Sequence, residues 1–125
     1  AEIGFVFQPD GRHLRQAYAV RHEMYGENVD PQTITRYTVE QFQGYAPFWV
    51  GHHAAFLYDH EAALMQIEHP TLILTNTGDQ IYENALMAQK MRPDFAYTAL
   101  EGGGIDIVDQ MPEAWADAVA AFIRE

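Results

Sequence analysis

Hydrophobic and polar positions change their spacing twice along the 125 residues, and each change predicts a different kind of element. "EIGFVF" (2–7) is a short apolar run, a strand candidate closed by the turn signal "PDG". From Asp10 the pattern turns helical. Leu14, Tyr18, Arg21, Met24 and Tyr25 recur at three- and four-residue steps, and Gly26 supplies a stop. "DPQTITRYTVEQF" predicts a second helix, with Asp30 as its N-cap and Pro31 at the first helical position. After Gly44 and Pro47, "FWVGHHAAFLYDHEAALMQI" reads as a single helix that is apolar over much of its circumference.

At Pro70 the texture changes again. "TLILTNT" (71–77) is β-branched and apolar without polar alternation, as in a parallel strand covered on both faces. "IYENALMAQKMR" (81–92) predicts a helix with Ala85, Met87, Ala88 and Met91 on its apolar side, and "FAYTALEG" (95–102) a second strand. The last segment opens with Pro112 and Glu113 in a first helical turn, and Trp115, Val119, Phe122 and Ile123 form its stripe. The expected fold class is therefore α/β. A mainly helical region, 1–69, precedes a strand-helix-strand-helix region, 70–125, with the strands parallel. Two such strands make a poor sheet by themselves, because strands buried on both faces need neighbours at their edges. The expectation is a chain that completes its sheet with another segment or with a second copy.

Charge narrows the partners. Eighteen acidic residues against seven basic ones give a formal charge of -11, a field that repels phosphate backbones and anionic lipid. Neither nucleic acid nor a membrane surface is expected as a partner. No apolar run approaches bilayer length, no basic-then-apolar leader is visible, and a cytoplasmic location fits this composition. Cysteine is absent, which removes disulfides, thiolate metal sites and a cysteine nucleophile. Serine is absent too, so the two commonest covalent nucleophiles are both missing. The first residue is Ala rather than Met, as in a processed or excised piece.

The order of signals in the second region carries a resemblance. "HPTLILTNTGDQIY", followed by a second strand and "EGGGIDIVDQMPEAWADAVAAFI", resembles the C-terminal portion of the α/β-hydrolase family over roughly residues 69–124. In that family a Pro-led strand ends in a loop bearing the triad acid. The next strand ends in a Gly-rich loop bearing the triad histidine, and a "PE"-headed helix follows. The resemblance puts Asp79 at the acid position, with the duty of holding an imidazole in the right tautomer. The histidine position is occupied by Ile105, which cannot move a proton, and Asp106 follows it. The helical region 1–69 falls where many members insert a cap, and "DGRHLRQAYAVR" is similar to cap sequence in some bacterial members. The Gly-x-Ser-x-Gly elbow of the family is absent, as the lack of serine requires.

Each candidate has a plainer reading. Asp79 could cap the helix that begins near Ile81. Asp106, a candidate acid or base beside Asp79, and Asp109 could instead cap backbone N–H groups ahead of the last helix, where the dipole favours negative charge. His52, His53, Asp59 and His60 share one predicted helix without the four-residue histidine pair that zinc sites favour, so no metal is expected. His52 or His53 could line the inner face of the cap beside Trp49 and Phe56, or supply the missing imidazole. With Tyr45, Phe48 and Tyr58, these aromatics either wall a substrate pocket that Ile105 also reaches or simply pack a core.

Two functions follow as expectations. The first is the cap and C-terminal part of an α/β-hydrolase-like protein, not competent alone. Its partner is the N-terminal half of the parent, its substrate is a small ester or carbonyl compound, and it needs no cofactor. The second is a non-catalytic acidic domain that works by homodimer formation or by docking to a partner.

Overall fold

The computed structural model describes residues 6–26, 29–44 and 50–124, a mixed α/β chain that is mainly helical with one small parallel sheet. The chain divides into two compact units, 1–58 and 59–125. Among the described residues no helix is long and apolar enough to cross a membrane.

The first unit is built on a helical pair, α1 (Arg12–Tyr25) and α2 (Pro31–Gln43), which pack together. Glycine in the left-handed region brackets α1, Gly11 at φ 72° and Gly26 at φ 84°. The expected stop at Gly26 is therefore a left-handed terminus that side chains adopt only with strain. Asp30 starts α2 as expected, its carboxylate accepting from Thr33 N at 3.1 Å, with Pro31 in the first turn. The buried residues of the pair are Ala17, Ile34 and Thr38, and the Thr38 hydroxyl is satisfied by Ile34 O at 2.8 Å. Arg21 Nε donates to Gln41 Oε1 at 3.2 Å across the pair, and the Tyr25 and Tyr37 rings meet at 5.0 Å. Leu14, expected on the packed stripe, is exposed, and Ala17 holds the tight contact instead. Small residues let helix backbones approach where a leucine would hold them apart. The expected strand 2–7 falls largely outside the described residues, and Val6 and Phe7 belong to no strand.

The single long helix expected after Pro47 is two helices, α3 (Val50–Leu57) and α4 (His60–Met65). The break has a local cause. The Asp59 carboxylate accepts from Ala62 N at 2.9 Å and so begins a new helix within an apolar pattern that would otherwise continue. α4 packs against α5 (Tyr82–Met91) and belongs to the second compact unit, 59–125.

In the second unit β1 (Leu72–Asn76) and β2 (Ala96–Leu100) pair in parallel, joined by α5 (Tyr82–Met91). The register sets Leu72 beside Ala96 and Asn76 beside Leu100, so both strands end level. α5 packs on β1, and α7 (Pro112–Arg124) packs on both strands after a short α6 (Ile107–Gln110). Met87 and Ile123, expected on apolar stripes, are exposed, while Ala85, Ala88, Met91, Trp115, Val119 and Phe122 are half-buried. The unit's sole buried apolar side chain among the described residues is Phe95; Leu72, Ile73 and Leu74 are only half-buried.

Arg92 ties α4 to this unit. Its Nη1 donates to Leu64 O, its Nη2 to Ile67 O at 2.8 Å, and its guanidinium lies 3.8 Å from the Phe95 ring centroid. Asp94 completes the clasp, taking Nε at 2.9 Å and Nη2 at 2.7 Å. The hydrogen bonds to Asp94 raise the pKa of Arg92 and lower that of Asp94. The planar guanidinium serves two carbonyls, a carboxylate and a ring at once, which a lysine ammonium could not do.

Candidate functional site

The carboxyl ends of parallel strands are where open α/β sheets place ligands, and here the two loops leaving those ends are stitched together. Thr77 N donates to Leu100 O at 2.9 Å and Gly78 N to Gly102 O at 3.1 Å, while Gly102 N donates to the Thr77 hydroxyl at 2.8 Å. Asn76, 1% exposed, donates from Nδ2 to Gly102 O and Gly104 O, each at 3.1 Å. A buried amide that satisfies two loop carbonyls fixes the path of the Gly-rich segment.

Glycine is required where the loops cross. A Cβ at Gly78 would overlap the carbonyl of Gly103. Gly103, at φ 72°, leaves no room between Ile107 and Asn76, and Gly102 sits at φ 78°. "NTGD" and "EGGGID" are thus two halves of one backbone junction.

Asp79 leaves this junction and enters α5. Its Oδ1 accepts from Ile81 N at 2.9 Å, its backbone N donates to Asn76 O at 3.1 Å, and its O accepts from Tyr82 N at 3.1 Å. The contact is an Asx turn ahead of α5; the N-cap residue of that helix is Ile81, which has no side-chain cap bond, so Asp79 does not cap a helical N–H group. Oδ2 takes no hydrogen bond from the described residues, so half of the carboxylate remains available to a second donor. Ile105 is half-buried. Asp106, 9% exposed, opens α6, its O accepting from Asp109 N at 2.9 Å and Gln110 N at 3.0 Å. Its carboxylate takes the Gln110 amide and does not cap a helix N–H group.

The remaining sequence candidates sit in the first unit. His52, His53 and Phe56 lie on α3, all exposed, with Phe56 at 86%. Trp49, Tyr45 and Phe48 fall outside the described residues. Among the described residues no group of three histidine or acidic side chains is placed to hold a metal ion.

Two features of the second unit carry little sequence signal. Asn76 is one polar residue in a β-branched run, and only its position at the strand end hints at a clamp. The Tyr97 hydroxyl, on β2, is buried with no hydrogen-bond partner among the described residues. Burial raises its pKa above that of an ordinary phenol, and the nearby Tyr82 phenol adds to the shift.

Comparison with known proteins adds no relative: no family model, no curated protein and no solved structure matches the chain.

Proposed function

We propose that the chain is the cap and C-terminal part of an α/β-hydrolase-like protein. In this reading the parent acts on a small ester or related carbonyl substrate, and a polypeptide segment outside residues 1–125 supplies the nucleophile and oxyanion hole. One observation carries the reading: the Asp79 loop and the Gly-rich loop leave neighbouring parallel strands at the same end and are bonded to each other. The triad logic needs an acid and an imidazole delivered from two such loops. Asp79 fills the acid's part, with Oδ1 held by Ile81 N and Oδ2 left to receive an imidazole N–H.

The chemistry asked of this chain is limited. Asp79 would hold the imidazole and stabilise its protonated form while another residue attacks the carbonyl carbon. The imidazole cannot come from the usual position, where Ile105 stands, so in this reading another residue has to supply it. Asp106, engaged with Gln110, supports the loop rather than the reaction.

The test is hydrolysis of p-nitrophenyl acetate by the protein joined to its upstream coding segment, compared with its Asp79→Asn and Asp106→Asn variants. A rate that falls in Asp79→Asn supports the reading. Unchanged turnover in both variants removes the carboxylates from the mechanism. A second reading, an acidic domain that works by association, draws on the half-buried Leu72, Ile73 and Leu74, apolar residues that an additional layer or strand would cover.

A further inference from the structure

The two strands are unequal in what they leave open. Ala96 N donates to Thr71 O at 3.0 Å, and Thr77 N donates to Leu100 O at 2.9 Å. With Leu72 level with Ala96, the alternation of a parallel ladder turns the amide groups of Ile73 and Thr75 toward β2. The N–H and C=O groups of Leu72 and Leu74 then face away from β2, and no strand meets them among the described residues. β1 is apolar on both faces through Leu72, Ile73 and Leu74, the pattern of an interior parallel strand. β2 carries Thr98 and the exposed Ala99, a composition that tolerates an edge.

Charge decides the occupant. The ionisable groups flanking β1 are carboxylates, exposed Glu68 before it and half-buried Asp79 after it, with only His69 between Glu68 and the strand. Basic residues in 59–125 are confined to Lys90, Arg92 and Arg124, and Arg92 is already engaged by Asp94. A second copy placed antiparallel on this edge would bring Glu68 of each copy near Asp79 of the other. A parallel copy would set Glu68 beside Glu68. Both arrangements oppose like charges, and a strand ending in lysine or arginine opposes none.

We infer that the outer edge of β1 is a docking edge for a parallel β-strand of another polypeptide, apolar on both faces and basic at both ends. It rests on the proposed function only for the need of a polypeptide partner. The main-chain groups of Leu72 and Leu74 give the affinity, and Glu68 and Asp79 select the ends of the incoming strand.

The experiment uses the full chain and two fluorescent seven-residue peptides of valine and isoleucine, one with lysine at each end and one with glutamate. The lysine-ended peptide should bind about tenfold more tightly at low salt, a preference that narrows as salt rises. Leu74→Pro should abolish this binding while the far-ultraviolet circular dichroism is kept, because proline there removes an outward N–H. Equal binding of the two peptides overturns the inference without any variant. So does undiminished binding by Leu74→Pro, or a sedimenting dimer that Leu74→Pro splits, which would assign the edge to a second copy. Ester hydrolysis reads a different property, so failure of the docking edge and failure of the hydrolase reading are separately visible.

Discussion

The Asn76 side chain and the Gly102 carbonyl, 3.1 Å apart, join the end of the first strand to the loop that follows the second. The same amide reaches Gly104 O, so one buried group holds two carbonyls. Replacing it with alanine takes the side-chain donor from both, leaving Gly102 O with Gly78 N alone. Asn76→Ala should lower stability by about 2–3 kcal/mol in urea unfolding, whereas a surface substitution such as Gln66→Ala should cost about 0.5 kcal/mol or less.

The crossing of the two loops makes a sharper demand. Gly78→Ala places a methyl group against the Gly103 carbonyl, which is backbone and cannot rotate aside. The variant should be destabilised by about 3 kcal/mol or unfold outright. Gly51→Ala in α3, where a Cβ meets nothing within 4 Å, should be neutral or slightly stabilising. Melting temperatures of the two variants check this contrast.

The turn contact of Asp79 and its part in catalysis can be separated. Asparagine makes the same Asx turn as aspartate, so Asp79→Asn should leave stability within about 0.5 kcal/mol. Asp79→Ala loses the bond to Ile81 N and should cost about 1 kcal/mol. A purely structural Asp79 would affect activity only in the alanine variant. A triad acid would fail in both.

The buried Tyr97 hydroxyl has no partner at ordinary hydrogen-bond distance among the described residues, the Tyr82 phenol being its polar neighbour. Tyr97→Phe should therefore be neutral or stabilising by up to about 1 kcal/mol, since it removes a desolvated polar group and keeps the ring. A clear loss of stability in that variant would reveal a partner for the hydroxyl.

Arg92 and Asp94 predict a response to acid. The folded-state pKa of Asp94 is lowered by its bonds to Arg92, so this contribution to stability is fully present above the unfolded carboxylate value, about 4. It is lost as pH falls through the lower folded value. Asp94→Asn should remove that part of the acid dependence. Arg92→Ala should speed hydrogen exchange in 60–67, where Leu64 and Ile67 lose their donor, before exchange changes in β1.

Much of the architecture was legible because local rules and tertiary packing agree. Asp30 with Pro31, Gly26, the apolar run of β1 and Pro112 each mark a boundary that the structure keeps. The break at Asp59 was obscured because hydrophobic periodicity runs on across it, and one capping carboxylate outweighed the pattern. The packing of Ala17 rather than Leu14 depends on how closely two helices approach, which a single helix cannot announce. At the candidate site the glycines were visible as a loop, but their reason was not. Gly78 and Gly103 answer to each other across the sheet, and Asn76 to both Gly102 and Gly104. Such pairings appear only once the register of β1 and β2 is known.

The most direct test is p-nitrophenyl acetate hydrolysis by the protein joined to its upstream coding segment, measured beside Asp79→Asn under conditions where both remain folded. The account predicts turnover that falls by about a hundredfold or more in the variant, with unfolding unchanged. Equal turnover in the two proteins, or none in either, would contradict it.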